Sequence, residues 1–221
     1  MNLIKTKLLE IKEALPEHVT LVAVSKTKPI SELMEAYEAG QRIFGENKIL
    51  EMADKHENMP KDIKWHMIGH VQTNKVKYMA SFVDLIHAVD SFKLLKEINK
   101  QAKKHNRTIN CLLQIKIAQE ESKFGLSESE AIQLLKNDQV QQLSNISIQG
   151  LMGMATFTDD KTIIKTEFEK ISSLFQSLQA TYTSLKTLSI GMSGDYLTAI
   201  ATGSTMVRIG SSIFGARNYN I

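Results

Sequence analysis

The sequence predicts an α/β fold, a single (β/α)8 TIM-like barrel with an extra N-terminal helix. Three observations lead there. Eight short apolar, strand-like runs alternate with helix-like stretches along the chain. The first run ends Ser25-Lys26-Thr27-Lys28-Pro29, without the glycine-rich phosphate turn that an open doubly wound sheet would carry there. The length of 221 residues falls somewhat below the about 250 of an ordinary barrel and fits a compact one.

Residues 3–15 place Ile4, Leu8, Ile11 and Leu15 on one face and form the leading helix. The apolar run 19–26 follows as a buried first strand. A helix near 30–39 leads to a strand at 41–46, one near 47–57 to a strand at 63–69, and one near 73–80 to a strand at 83–89. The alternation continues with a helix near 91–105, a strand at 108–117, a helix near 127–137 and a strand at 147–154. The stretch 161–183 has the clearest helical spacing, in Ile164, Phe168, Ile171, Leu174, Phe175 and Leu178. Strands at 187–192 and 205–210, with a helix near 195–201 between them, complete eight units. Helical crossovers between short apolar strands impose a parallel sheet covered on its outer face, and eight such units can close.

Composition narrows the function. Hydrophobic residues at 43% and charged residues at 23% are those of an ordinary globular protein. Three prolines and no Gly/Ser-rich linker mark no boundary, so 1–221 is expected to be one domain. The net charge of +3 is scattered, with no basic stripe interleaved with aromatics, which argues against nucleic acid. A lone cysteine, Cys111, allows no intramolecular disulfide and lies in an apolar run, where a buried inert thiol is expected. No signal-peptide pattern opens the chain and no apolar run reaches membrane-spanning length, so a cytoplasmic protein, expected to be a monomer, is predicted.

Barrel chemistry collects where strands end. The predicted strand ends supply Lys26, Glu46, Asn47, His70, Asp90, Met154, Ser193, Gly194, Arg208, Gly210 and Ser211. Lys26 closes a buried strand. Burial disfavours its ammonium form, and the neutral amine can form a Schiff base with an aldehyde such as pyridoxal phosphate; otherwise it is a polar residue closing a strand. Gly203 to Ser212 and Gly191 to Asp195 offer glycines and hydroxyls in the last two strand–helix loops, where barrels often cradle phosphate. The alternative is a pair of tight turns. Arg208 either meets a ligand or makes an ion pair with a residue such as Asp90 or Glu46. His66 and His70 lack the convergent ligands of a metal site, and His66 is expected to be a satisfied core histidine. Lys123 and Gly125 either help cover the rim or belong to a solvated loop.

Several segments together resemble one family. They are Ala23 to Pro29, Phe44-Gly45-Glu46-Asn47, Trp65 to Gly69, Gly150-Leu151-Met152, Gly191-Met192-Ser193 and Gly203 to Gly215, in that order. They are similar to the pyridoxal phosphate homeostasis protein family, also called the proline synthase co-transcribed protein family. The resemblance implies a barrel like the N-terminal domain of alanine racemase and pyridoxal 5'-phosphate as cofactor. It implies that Lys26 forms the Schiff base, that Arg208 lies near the pyridine nitrogen, and that Ser193, Gly210 and Ser211 form the phosphate region with Asn47 close by. It implies a role in vitamin B6 balance, with pyridoxal-phosphate-dependent apo-enzymes as possible recipients. Two motifs depart from the family pattern: Gly69-His70-Val71-Gln72-Thr73-Asn74-Lys75 stands for Gly-Pro-Leu-Gln-Ser-Asn-Lys, and Gly194 for an aspartate.

The chemistry separates a carrier from an enzyme. An arginine beside the ring nitrogen cannot accept its proton, so carbanion stabilisation is weakened. A racemase also needs acid–base groups on both faces of the substrate carbon. Of the tyrosines in the predicted helices and loops, Tyr196 alone falls near the rim. The expected function is cofactor holding without robust turnover; the alternative is a weak amino-acid racemase.

Overall fold

A computed structural model of the protein describes residues 3–119 and 124–216. Eight parallel strands form a closed barrel in sequence order: β1 (Thr20–Val24), β2 (Ile43–Glu46), β3 (Lys64–Met67), β4 (Leu85–Val89), β5 (Ile109–Ile115), β6 (Ile146–Gly153), β7 (Thr187–Met192) and β8 (Met206–Ile209). β1 pairs with both β2 and β8, in the registers Ala23 with Phe44 and Val22 with Arg208, which completes the ring. All eight predicted strands are present. Buried parallel strands read as continuous apolar runs, which is why sequence alone finds them.

The helices are α1 (Leu3–Ala14), α2 (Ile30–Glu38), α3 (Ile49–Asn58), α4 (Phe92–Lys104), α5 (Glu128–Lys136), α6 (Asp138–Gln141), α7 (Lys161–Gln179), α8 (Tyr196–Ala201) and α9 (Ser211–Phe214). Their starts follow local chemistry. Ser91 Oγ accepts the Leu94 N–H ahead of α4, Ser127 and Glu130 form a reciprocal capping box on α5, and Asp160 caps α7.

Four details differ from expectation. The third crossover is a 3-10 helix, Thr73–Tyr78. The fifth carries two helices, α7 stops at Gln179, and α9 was not foreseen. Four residues of helix leave no periodicity to read.

The main core lies between barrel and helices, with Phe44, Trp65, Leu95, Phe168 and Leu188 fully buried in it. A second, small cluster of Val22, Leu85, Ala88, Leu112, Met152 and Met206 fills the inside of the barrel. This plug fills the barrel interior below the C-terminal rim, and a cavity opens above it.

Candidate functional site

A cavity of about 590 Å³ opens at the C-terminal end of the barrel. Lys26, Asn47, Ser193, Arg208, Gly210 and Ser211, the six site residues expected from sequence, all line it. Lys28, His70, Gln114, Phe124 and Met154 share the wall.

One side of the cavity is built on a closed ionic cluster. β1 ends at Val24, two residues short of Lys26, which sits in the following turn. Three groups fix that turn. Ser25 Oγ donates to Glu46 Oε1 at 2.6 Å. Lys55 Nζ donates to Ser25 O, Glu46 Oε1 and Glu51 Oε1, each at 2.8 Å. The Thr27 N–H donates to Glu51 Oε1 at 2.6 Å, and Thr27 takes a left-handed φ of 64°. Lys26 is thus anchored through both neighbours. Burial pushes the Glu46 carboxyl up, and Lys55 pulls it back. Next to Glu46, the Asn47 side-chain Oδ1 is buried without a hydrogen-bond partner.

The opposite side is built on Arg208, which is 3% exposed. Nη1 donates to Ser189 O and Ser189 Oγ, both at 2.7 Å, and Nη2 donates to Gly153 O at 2.9 Å. The alternative of an ion pair with Asp90 or Glu46 is not realised. Asp90 lies 3.4 Å from His70, and Glu46 is bound to Lys55. Neutral oxygens hold the guanidinium instead, and burial lowers its pKa to about 10, with the Asp195 charge opposing the shift. Three of its five N–H groups are committed, which leaves two for a ligand.

Between these sides lie the two glycine–serine turns. The Gly210 N–H donates to Ser193 Oγ at 3.1 Å, which ties the turns together. That amide is therefore engaged rather than free for an anion. A Cβ on Gly210 would meet Val24 O at 3.0 Å, so the glycine permits close strand packing. The hydroxyls of Ser193 and Ser211 remain for a ligand, together with the first N–H groups of α9, which lack intrahelical acceptors. Lys28 Nζ donates to Phe214 O at 2.7 Å and so fastens the far end of α9 to the β1 turn.

Some expected residues lie elsewhere. Tyr196 packs against the main core at the start of α8 and is not among the cavity-lining residues. Ser212 lies off the wall. Lys123 falls outside the described residues, while Gly125 takes a φ of 136° beside Lys116. Cys111 is buried, and its thiol is pushed up to about 12 by burial. Among the described residues no group of three His, Cys, Asp or Glu could hold a metal. Sequence reasoning missed Lys55, His87 and Ser189. Glu51 and Lys55 show helical i,i+4 spacing, but nothing local marks His87 or Ser189, whose partners are distant in sequence.

Known proteins match this arrangement along nearly its full length. The family model for the alanine racemase N-terminal domain matches residues 1–218. The pyridoxal phosphate homeostasis protein of Vibrio alginolyticus is 41% identical over 210 residues, covering 93% of this chain and 89% of that one. The chain belongs to the pyridoxal phosphate homeostasis protein family. PipY of Synechococcus elongatus PCC7942, solved without PLP, superposes with a TM-score of 0.89 at 34% identity, covering 96% of this chain and all of that one. The PLP-bound form of PipY gives 0.86 at 32% identity, with the same coverage. An alanine racemase of Clostridium difficile 630 shares the fold, with a TM-score of 0.83 at 14% identity over 58% of its length.

Proposed function

We propose that this protein binds pyridoxal 5'-phosphate in the rim cavity and serves intracellular vitamin B6 homeostasis, without robust turnover of a substrate. The observation that carries this reading is the joint presence of a tethering lysine, an arginine with uncommitted N–H groups and a glycine–serine wall around one cavity. The likeness to PipY with PLP bound supports it.

The cofactor supplies an aldehyde to a lysine and a phosphate to hydrogen-bond donors. In this reading Lys26 would hold the cofactor through its aldehyde, with Nζ supplying the amine. Arg208 faces the ring nitrogen with its free N–H groups, which supply no acceptor for a ring proton. Ser193, Ser211 and the start of α9, with Gly210 allowing close approach, take the phosphate. The unpartnered Asn47 amide accepts from a ring hydroxyl. Among the described residues, no tyrosine lines this wall to serve as the second acid–base group of a racemase. The same reading makes the protein a cytoplasmic monomer that buffers the cofactor and passes it to apo-enzymes; among the described residues no helix is long and apolar enough to cross a membrane.

The test is borohydride reduction of protein loaded with pyridoxal phosphate, followed by peptide mass spectrometry. A modified Lys26 is expected, together with an absorbance band that Lys26→Ala removes. Loaded wild-type protein with no reducible lysine adduct overturns the reading. Deuterium exchange at the α-carbon of a panel of amino acids, expected to be absent, identifies a racemase if it is robust and Lys26-dependent.

A further inference from the structure

Polar side chains from four strands form one line through the barrel, and the proposed function leaves most of that line unexplained. Arg208 Nη1, on β8, donates to Ser189 Oγ, on β7, at 2.7 Å. Ser189 Oγ lies 3.1 Å from His87 Nδ1, on β4. His87 Nε2 lies 3.0 Å from His66 Nδ1, on β3. His66 Nε2 lies 3.4 Å from Asp84 Oδ2. Asp84 immediately precedes β4, at the end of the barrel opposite the cavity, and its side chain is 40% exposed. Everything between Asp84 and the cavity is buried.

The two ends determine where the protons sit. An arginine only donates, so Ser189 Oγ accepts from it and offers its own hydrogen to His87 Nδ1. His87 then carries its proton on Nε2 and donates to His66 Nδ1. His66 likewise carries its proton on Nε2 and directs it at the Asp84 carboxylate, which only accepts. The reverse order leaves the Ser189 hydroxyl facing two donors, and sets the His66 lone pair against a carboxylate lone pair. Burial lowers both imidazoles and favours the neutral rings that this order needs. The charged groups around the line are Arg208 and His66 facing His87, Asp84 and Lys64 facing His66, His66, Lys64 and Arg107 facing Asp84, and Asp195 facing Arg208.

We propose that His87 and His66 are positioning residues for Arg208: a one-way hydrogen-bond relay to Asp84 turns Nη1 towards Ser189 and leaves the two uncommitted N–H groups for the cavity. Every donor in the relay points away from the cavity. It therefore orients the guanidinium and delivers no proton to a ligand. The effect on a ligand rests on the reading of the cavity as a pyridoxal phosphate site; the relay itself does not.

Histidine ¹⁵N–¹H correlation spectra of the ligand-free protein test the proton order directly. Both His66 and His87 are expected as neutral Nε2–H tautomers near neutral pH, and Ser189→Ala is expected to shift His87 Nδ1. An Nδ1–H tautomer or a charged ring at His87 overturns the proposal. Pyridoxal phosphate binding tests the consequence. His87→Leu should weaken it about tenfold, while Lys26 is still modified by borohydride. His87→Gln, which can accept from Ser189 and donate to His66, should restore affinity to within about threefold of wild type. If His87→Leu folds and binds like wild type, the positioning role is overturned; if it does not fold, Ser189→Ala carries the same comparison, with unchanged affinity overturning that role. If wild type binds no pyridoxal phosphate, the cofactor reading fails, and the spectra alone still decide the relay.

Discussion

Two charged clusters flank the same cavity and differ in one respect. In the cluster under Lys26, Lys55 is matched by Glu46, Glu51 and the Ser25 carbonyl, and its ammonium is fully surrounded by acceptors. In the cluster around Arg208, no carboxylate among the described residues touches the guanidinium, and carbonyl and hydroxyl oxygens occupy only part of it. Buried charge is tolerated in both, for different reasons. In the closed cluster the Lys55 ammonium is satisfied without a ligand, although Glu46 Oε2 is buried without a partner, and the cluster serves to hold the Lys26 turn. The open one carries donors that only a ligand or water can satisfy. A folded protein can keep such an incomplete site where the free donors face a cavity large enough for water.

The largest effect should follow from opening the closed cluster. Lys55→Met removes the counter-charge of a fully buried carboxylate, which costs on the order of 3–5 kcal/mol. Urea denaturation should show this as a lower midpoint with little change in slope. The loss should be greatest near neutrality and relieved in acid. With Lys55 gone, burial acts on Glu46 with only the Ser25 hydrogen bond opposing it, and raises its folded pKa further above the unfolded 4.5. Stability is then retained below the unfolded value and lost as pH rises through the folded one. Adding Glu46→Gln should recover much of the loss, because no unpaired charge remains buried.

Changes to the open cluster should act on binding more than on folding. Arg208→Met strands no buried anion and should cost about 1–2 kcal/mol of stability. It should weaken pyridoxal phosphate by roughly ten- to a hundredfold through lost charge-assisted bonds. Equilibrium dialysis beside a thermal melt separates the two quantities. A variant as unstable as Lys55→Met would mean that both clusters are structural.

Acid titration should set wild type apart from Lys55→Met. His56, His66 and His87 all have folded pKa values lowered from 6.5, with burial the first cause in each. Their contribution is present above about 6.5 and is lost as pH falls below it, because the unfolded chain takes up protons that the folded one refuses. Asp84, lowered from 3.8 chiefly by its hydrogen bond to His66, extends the loss to lower pH. Wild type should therefore weaken in acid over the range in which Lys55→Met gains relative to it. Urea midpoints from about pH 7.5 to about pH 4 check the crossing slopes.

The same contrast explains what could be read in advance. The eight strands were legible because each is a local apolar run, as in Leu21-Val22-Ala23-Val24. The cavity residues were legible because strand ends converge on one rim once the barrel is granted. Lys26 could be located to within two residues, though the strand stops before it. The partners of buried charge were not legible. For Arg208 a ligand contact and an ion pair with a carboxylate both stood open, and neither pointed to Gly153 O and Ser189, groups that carry no sign in a charge pattern. His87 and Ser189 stand 102 positions apart and meet only because β4 and β7 face each other inside the barrel. Lys55 carries no local mark of burial in the sequence, and its role follows from α3 lying where Lys55 reaches Ser25 O and Glu46.

The smallest change should be at Ser211. Its hydroxyl lines the cavity at the head of α9, beside the Ser193 hydroxyl and the first helical N–H groups, which remain as donors when it is removed. One neutral donor among several, in a site open to water, contributes about 0.5–1.5 kcal/mol. Ser211→Ala should thus weaken pyridoxal phosphate by about two- to tenfold and leave the urea midpoint within error of wild type. Pyridoxal without its phosphate should bind both forms equally, since the hydroxyl has nothing to meet on it. An equal loss for the two ligands would move the phosphate away from α9, and the open side of the cavity would then be Arg208 alone.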